Sequence, residues 1–148
     1  MKTLVLSATF ILAVTFNAAA STAPVNEKAE NTFRLIFKDA GHVQWSAAGN
    51  LYEAFFIMDD IKTRATIDAK GNLIQTIRYY SEAHLPANVL YSIKRQYRGK
   101  EIFGVTEVSN QQGVNYRVVL RDDKTYTHIN AGSNGDTELV KKYKRGDK

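Results

Sequence analysis

The sequence contains one pattern twice, and this repetition constrains the fold more than any single residue does. Residues 26–80 and 85–143 each begin with an amphipathic stretch of helical period and continue as four short stretches of strand period. Turn sequences recur at matching places, as in Gly71-Asn72 and Gly135-Asp136. Units that repeat in this way usually stack and share a core. The sequence therefore predicts an α+β fold, a tandem repeat of one helix packed on a four-stranded antiparallel sheet.

Residues 21–148 are expected to form a single domain made of the two repeats. Units of about 60 residues are only marginally stable alone when no disulfide or metal supports them. The chain has no cysteine, so no disulfide can supply that support. We therefore expect the two repeats to share one hydrophobic core.

Residues 1–20 have the layout of a secretory signal peptide. Lys2 precedes an apolar run over residues 4–16, and the small residues Ala18 and Ala20 follow. They suit cleavage before residue 21. A membrane anchor is the competing interpretation, but the apolar run is shorter than the roughly 20 residues that span a bilayer. Because there is no cysteine for lipid attachment, we expect a periplasmic or secreted protein with no integral membrane association after cleavage.

The net charge of +5 is a mild basic excess. Much of it lies in residues 141–145, which read Lys-Lys-Tyr-Lys-Arg. Such a tail can be drawn to an acidic surface, to anionic lipid or to nucleic acid. The simpler alternative is a solubilising terminus, which we favour because no basic stripe recurs elsewhere in the sequence. We therefore expect no nucleic-acid partner.

Two helices are predicted from apolar residues at intervals of three and four. The first begins at Asn26 or Glu27 and ends at Ala40, where Gly41 supplies a left-handed stop. The second opens at Pro86, which suits a first helical turn, and ends before Gly99. The apolar stripes are Ala29, Phe33, Ile36, Phe37 and Ala40 in the first helix, and Val89, Leu90, Ile93 and Tyr97 in the second. Neither helix is apolar all round, so each must pack its stripe against a sheet.

Two hairpins are predicted around the pairs Asp59-Asp60 and Asp122-Asp123. With two-residue turns, the first hairpin pairs Phe56 with Thr63, Ala54 with Ala65, and Tyr52 with Ile67. The second pairs Leu120 with Thr125, Val118 with Thr127, and Tyr116 with Ile129. All of these side chains are small or apolar, as the helix-covered face of a half-solvated antiparallel sheet requires.

The opposite side of both hairpins, which we call the open face, carries the candidate binding residues. It presents Glu53, Phe55, Ile57, Lys62, Arg64 and Thr66 from the first hairpin, and Arg117, Val119, Arg121, Lys124, Tyr126 and His128 from the second. Apolar side chains interleaved with arginine are typical of a protein-binding surface. The predicted site comprises Phe55, Ile57, Arg64, Arg117, Val119, Arg121 and Tyr126.

Two alternatives to a free binding surface remain open. The two units could pack their open faces together, or another element could cover Phe55 and Ile57. The assignment of the two faces also depends on register, because a slip of one residue exchanges them.

The sequence contains no recognisable motif for catalysis or metal binding. Without cysteine, thiol nucleophiles and thiolate metal sites are excluded. His42, His84 and His128 lie far apart in the sequence, and none belongs to a helical pair that could hold one metal ion. No serine occupies a G-x-S-x-G context, and the acidic pairs are explained by turn formation. We therefore expect no enzyme activity, no catalytic residues, no metal site and no cofactor.

The residues that carry a family resemblance extend over nearly the whole of residues 21–148. They are Trp45, the Tyr52-x-Ala54-x-Phe56 strand, Ala65-Thr66-Ile67-Asp68 with Gly71, Leu85-Pro86, residues 97–102, and the Tyr116-x-Val118-x-Leu120 strand. With this set the chain resembles the PepSY-like, β-lactamase-inhibitor-like family of small exported proteins common in Bacteroidetes-type bacteria. The resemblance implies a helix packed on a four-stranded antiparallel sheet, twice, with the two sheets joined or side by side.

The resemblance implies binding rather than catalysis. Related domains are proposed to bind and restrain peptidases, and the similar β-lactamase inhibitor grips its enzyme with a concave sheet surface. We therefore expect a non-catalytic protein-binding module whose partner is another envelope protein, in one form an inhibitor of a peptidase or other hydrolase that acts by surface occlusion. The alternative is a periplasmic small-ligand carrier or sensor, with a pocket between helix and sheet or between the two units, bounded by Trp45, Phe56 and Tyr116. The sequence leaves the oligomeric state open.

Overall fold

The structure is a computed structural model and describes residues 24–146. The predicted signal peptide, residues 1–20, lies outside the described residues. The elements in chain order are α1 (Glu27–Ile36), β1 (Gly41–Ala48), β2 (Leu51–Met58), β3 (Ile61–Asp68), β4 (Leu73–Tyr80), a 3₁₀ turn (Glu82–His84), α2 (Ala87–Gln96), β5 (Glu101–Asn110), β6 (Gly113–Arg121), β7 (Thr125–Gly132) and β8 (Thr137–Lys144). Neither helix of residues 24–146 is long and apolar enough to cross a membrane.

The strands form one continuous eight-stranded antiparallel sheet in the order β1-β2-β3-β4-β5-β6-β7-β8. The predicted fold class, with each helix on a four-stranded sheet of its own, is therefore wrong. The physical reason is the pairing of β4 with β5, where residues 75–80 pair with residues 105–110 in unbroken register. Had the chain stopped at β4, that strand would have left a row of unpaired backbone groups at an edge. Pairing with β5 satisfies them.

Both helices pack an apolar stripe on the same side of the sheet, but each is shorter than predicted. Helix α1 ends at Ile36 rather than Ala40. Gly41 is absent from the described residues with positive φ, and the next residue, His42, has a φ of 55° instead. Ile36 is 47% exposed and so lies outside the buried stripe of the helix. At the other end the Asn26 side chain accepts a hydrogen bond from the Lys28 backbone N–H at 2.7 Å, which caps the helix.

Each helix contacts a glycine-containing turn between two strands of the sheet. Gly71, between β3 and β4, has a φ of 89°, and its carbonyl accepts a 2.7 Å hydrogen bond from the Thr32 hydroxyl of α1. A Cβ at Gly71 would lie 3.1 Å from the Lys28 carbonyl oxygen. Gly135, between β7 and β8, has a φ of 91°. A Cβ at this position would crowd Ser92 and Asn88 of α2. Both positions need glycine for conformation and for space.

The first predicted hairpin register is confirmed, and the second is wrong by two residues. Asp59 and Asp60 both have positive φ, which gives a two-residue turn and pairs Phe56 with Thr63, as expected. Around Asp122 the loop is longer, so Leu120 pairs with Thr127 rather than Thr125. A shift of two residues preserves the face on which every side chain lies. The predicted separation into a covered and an open face therefore holds in both hairpins.

The buried apolar residues form two clusters instead of the single shared core that we expected. One lies under α1 and contains Ala29, Phe33, Phe37, Ala54, Phe56, Ala65 and Ile67. The other lies under α2 and contains Leu85, Val89, Ile93, Ile102, Val105, Tyr116, Val118, Leu120, Ile129 and Ala131. Polar side chains occupy the helix side of the central strands between them, where Arg78 pairs across the strands with Glu107. These charged groups are only partly exposed, and they interrupt the apolar layer.

The continuous sheet predicts that the two clusters unfold together. Trp45, the only tryptophan, lies beside the α1 cluster, whereas Leu120 is fully buried in the α2 cluster. We expect Leu120→Ala to lower the free energy of unfolding by about 2–5 kcal/mol. The loss should appear equally in Trp45 fluorescence and in far-ultraviolet circular dichroism during urea unfolding, because β4–β5 pairing joins the halves.

The control is Leu35→Ala at an outward helix position that is 72% exposed. This variant should change stability by no more than about 0.5 kcal/mol. A Trp45 transition that stays unmoved in Leu120→Ala would mean that the halves unfold independently.

Candidate binding face

All seven predicted site residues lie on the side of the sheet opposite the helices. Phe55 and Ile57 are 41% and 37% exposed, while their strand neighbours Ala54 and Phe56 are buried under α1. In β6, Arg117 is exposed and Val119 half-buried, between the buried residues Tyr116, Val118 and Leu120. Neither alternative, faces packed together or another element over Phe55 and Ile57, occurs within residues 24–146.

The predicted residues form two groups at the two ends of one surface that crosses the sheet. Following the pairs from β2 to β6, one row runs through Ile57, Lys62, Tyr79, Thr106 and Arg117. The four strand-to-strand steps of this row span about 19 Å at the usual spacing of neighbouring strands. Phe55, Ile57 and Arg64 are therefore one end of a continuous surface. Arg117, Val119, Arg121 and Tyr126 form the other end.

The first group lines a shallow apolar groove. A cavity of about 340 Å³ lies between β1, β2, β3 and β4, with Phe55, Ile57, Arg64 and Tyr79 among its walls. The Arg64 guanidinium lies 5.9 Å from the centre of the Phe55 ring, and its Nε is 3.9 Å from Glu53 Oε1. Only 29% of the Arg64 side chain is exposed. A planar cation over a ring is suited to stack against a partner side chain.

The second group is a ladder of rings and guanidinium groups at the end of β5, β6 and β7. Arg121 lies 4.7 Å from the centre of the Phe103 ring, and that ring meets Tyr126 edge-on at 5.7 Å. The Arg145 guanidinium lies 5.5 Å from the centre of the Tyr126 ring. Two 2.9 Å hydrogen bonds to Glu101 fix the Arg121 guanidinium and raise its pKa above the ordinary value. The ladder is thus organised without a partner.

Arg117 stands apart from the other predicted arginines because no described carboxylate lies within 4.0 Å of it. It lines a cavity of about 560 Å³ together with Val119, His128 and Val140. Its guanidinium therefore remains available for an external acceptor. Since Arg64 and Arg121 already hold Glu53 and Glu101, Arg117 is the strongest candidate for an ion pair with a partner.

Several exposed rings on the open face escaped the sequence prediction. Tyr79 is 46% exposed, Phe103 55% and Tyr143 43%. Tyr79 could have been found from the alternation in β4, but its position beside Lys62 required the register between β3 and β4. Phe103 lies at a register shift between Ile102 and Gly104, where an irregularity breaks the period of two. No sequence signal marks that irregularity.

The predicted ligand pocket is not formed by its three residues. Trp45 and Phe56 pack with the α1 cluster, where the Phe33 ring lies 5.1 Å and 5.0 Å from theirs. Tyr116 belongs to the α2 cluster. Because these residues belong to two separate clusters, they do not surround one cavity.

One buried polar network on the helix side also has a structural explanation. The Tyr80 hydroxyl donates a 2.5 Å hydrogen bond to Glu107, whose other oxygen lies 3.3 Å from Arg78. Burial, and then the neighbouring Glu107 carboxylate, raise the pKa of the Tyr80 hydroxyl far above its ordinary value. The hydroxyl therefore remains a hydrogen-bond donor. Within residues 24–146, no cluster of three or more histidine or acidic side chains could hold a metal ion.

Comparison with known proteins gives solved structures only, because no family model and no curated protein matches the chain. A BLIP-like protein of Bacteroides fragilis superimposes with a TM-score of 0.66 at 18% identity, over 86% of this chain and 92% of that one. The chain has the BLIP-like fold. A DUF2874 family protein of Bacteroides uniformis gives 0.63 at 19% identity, over 82% and 89%. A protein of Bacteroides eggerthii that is proposed to be periplasmic gives 0.63 at 14%, over 82% and 90%. The predicted resemblance is confirmed at the level of the fold.

The acidic loop beside the aromatic ladder makes stability depend on pH. Asp122 accepts a hydrogen bond from Lys100 and two from the backbone N–H groups of Lys124 and Thr125, at 2.9 Å and 2.6 Å. The Lys100 ammonium first, and then the Lys124 N–H, lower the pKa of the Asp122 carboxyl well below its ordinary range. A lowered pKa in the folded state stabilises the protein above the unfolded value, about 3.9 for Asp. This contribution is lost as the pH falls through the folded pKa.

We expect Asp122→Asn to lower the melting temperature most at neutral pH. Its difference from the wild type should shrink below about pH 4, because the carboxyl of the unfolded wild type then binds a proton while that of the folded protein stays ionised, which removes the stabilisation. Thermal unfolding followed by circular dichroism from pH 2 to pH 8 measures both effects. Asp123→Asn, at the adjacent exposed carboxylate, is the matched control and should change little at any pH. An equal loss in both variants would show that Asp122 has no special role.

Proposed function

We propose that this protein is an exported, non-catalytic protein-binding module that uses the open face of its sheet. The observation that carries the proposal is a continuous surface of exposed rings and fixed arginines on the side of the sheet that no described element covers. Antiparallel sheets commonly leave one face to solvent, but that face is then usually polar. Here Phe55, Ile57, Tyr79, Phe103 and Tyr143 remain exposed, and such apolar surface is characteristic of interaction sites.

The charge of the open face favours an acidic partner. Its cations are Lys62, Arg64, Arg117, Arg121, Lys141 and Arg145, and its carboxylates are Glu53, Glu101 and Glu138. Two of these carboxylates already pair with Arg64 and Arg121. Lys62, Arg117 and Lys141 have no described carboxylate within 4.0 Å, so a partner with carboxylates opposite them would form further ion pairs and associate faster at low salt.

The cellular setting follows from the predicted signal peptide, and the structural neighbour proposed to be periplasmic agrees with it. In that setting the partner is another envelope protein. A surface some 20 Å wide can obstruct the mouth of an enzyme cleft, so inhibition of a peptidase or other hydrolase by surface occlusion is the specific form that we propose. The BLIP-like neighbour supports this form by fold alone.

The test is affinity capture with residues 21–148 from the cell envelope of the producing bacterium. The triple variant Phe55→Ala, Arg117→Ala and Tyr126→Ala removes one aromatic side chain from each end of the open face. It also removes the guanidinium of Arg117, which pairs with no described carboxylate. Because each interface anchor contributes about 1–2 kcal/mol or more, this triple variant should bind the captured partner at least about a hundredfold more weakly. Titration calorimetry with the purified partner measures the loss.

The matched control carries Leu35→Ala, Tyr91→Ala and Arg95→Ala on the outward sides of the helices. Leu35 and Tyr91 are 72% and 65% exposed, so this variant removes comparable side chains from the other side of the molecule. It should bind like the wild type. Equal binding by the wild type and the open-face variant would place the interaction elsewhere and contradict the proposal.

A further inference from the structure

The two edges of the sheet differ in how they are protected. Edge strands expose unpaired backbone groups, and lysine is a common means of keeping other strands away from them. Strand β8 carries Lys141, Lys142 and Lys144 along its edge. Strand β1 has no charged residue in its last six positions, Val43 to Ala48. One edge is therefore protected against strand addition, and the other is left open to it.

The unpaired backbone groups of β1 can be assigned from its turn. Ala48 and Leu51 flank a two-residue hairpin turn, so their backbone groups bond to each other across β1 and β2. Hydrogen-bonded pairs alternate along an antiparallel ladder, which turns the N–H and C=O of Trp45 and Ala47 away from β2. No other described strand pairs with β1. These four groups can therefore receive an added strand.

A cavity lies beside this open edge, on the helix side. It has a volume of about 300 Å³ and lies between Phe33 and Phe37 of α1 and Val43 and Trp45 of β1. An added strand would place alternate side chains on the same face as Trp45 and the cavity. The cavity has room for one branched or aromatic side chain at that position.

The rim of the cavity adds a charge preference. Glu30, Arg34 and Lys38 all line it, and Glu30 pairs with Arg34 at 2.6 Å. Lys38 has no described carboxylate within 4.0 Å. A carboxylate on the added strand, two residues from its apolar side chain, would be complementary to Lys38.

We propose that the β1 edge binds an extended peptide segment of another protein by strand addition. That segment places an apolar side chain in the cavity beside Trp45 and an acidic side chain near Lys38. Backbone hydrogen bonds to Trp45 and Ala47 supply register and affinity, and the cavity supplies specificity. This site is separate from the open face and does not rest on the function proposed for it.

A second copy of the chain fits the same edge less well. In a two-fold pairing centred on Ser46, the residue opposite Trp45 would be Ala47 of the second copy, whose side chain is too small to fill the cavity. A pairing centred on Trp45 would bring a second Trp45 there, but β1 contains no acidic residue that could meet Lys38. The bulge between Gly41 and Gln44 interrupts registers centred further toward the start of β1. The cavity therefore favours a foreign peptide.

The test uses a phage-displayed library of random nonapeptides selected on residues 21–148. We expect the selected peptides to share a branched or aromatic residue and an acidic residue two positions away. A synthetic peptide of that consensus should shift the backbone amide resonances of residues 43–48 and of α1. Ala47→Pro removes an outward N–H without breaking a bond to β2, so it should weaken peptide binding by about tenfold or more.

Val43→Glu places a negative charge at the cavity and should weaken binding similarly, which keeps the test decisive if Ala47→Pro does not fold. Val140→Glu, at an exposed position on the opposite edge strand, is the matched control and should bind the peptide normally. The open-face triple variant should also bind it normally. Loss of peptide binding in this triple variant would show that the peptide lies on the open face. That result would overturn the proposal for the edge site and leave the function proposed for the open face intact.

Three further results would overturn the proposal. One is a selection that enriches no common sequence. Another is a consensus peptide whose affinity is unchanged in folded Ala47→Pro and in Val43→Glu. The third is a dimer in sedimentation equilibrium that Ala47→Pro abolishes, because the edge would then serve a second copy of the chain.

Discussion

The pairing of β4 with β5 is the constraint on which the rest of the structure depends. Residues 75–80 and 105–110 align without a bulge and turn two helix-bearing halves into one sheet. The pairing brings Arg78 opposite Glu107 on the helix side and Ile77 opposite Val108 on the open side. Through the first pair it separates the two hydrophobic clusters. The second pair makes the open face continuous from β2 to β7.

The two sides of the sheet then meet different physical requirements. On the helix side, two short helices cover apolar clusters, and the turns at Gly71 and Gly135 hold them in place. This burial supplies most of the stability, because apolar area removed from water is the dominant favourable contribution to folding. The open side is not needed for that purpose. Its rings and arginines are organised among themselves, with Arg121 stacked on Phe103 and bound to Glu101.

The molecule therefore offers two surfaces with different modes of recognition. The open face is broad and cationic and carries exposed aromatic side chains. It is therefore suited to bind the surface of a folded protein. The β1 edge is narrow and uncharged and has a cavity beside it, which suits an extended chain. Because the cavity beside β1 lies on the helix side and the open face lies on the opposite side of the sheet, both surfaces can be occupied at once.

Much of the local structure was predictable because it depends on neighbours in sequence. The period of two in β2 and β3, with the turn at Asp59-Asp60, led to the correct first register and to the correct face for Phe55. In the second hairpin the Asp122 side chain takes up the backbone N–H groups of a longer loop, so the predicted register was two residues off while the faces stayed correct. Both helices were predicted, but their C-terminal ends were not. In α1 the helix stops early because the chain turns toward β1 after Phe37.

What the sequence determined by itself was which side chains face the helices and which face away, because alternation along a strand is a local property. The tertiary structure alone decided that the strands form one sheet and two clusters, and that Phe103 joins the open face. Those outcomes depend on hydrogen bonds between strands that are distant in sequence and on an irregularity within β5. Hydropathy patterns record burial at each position, but they do not record which strand lies alongside which.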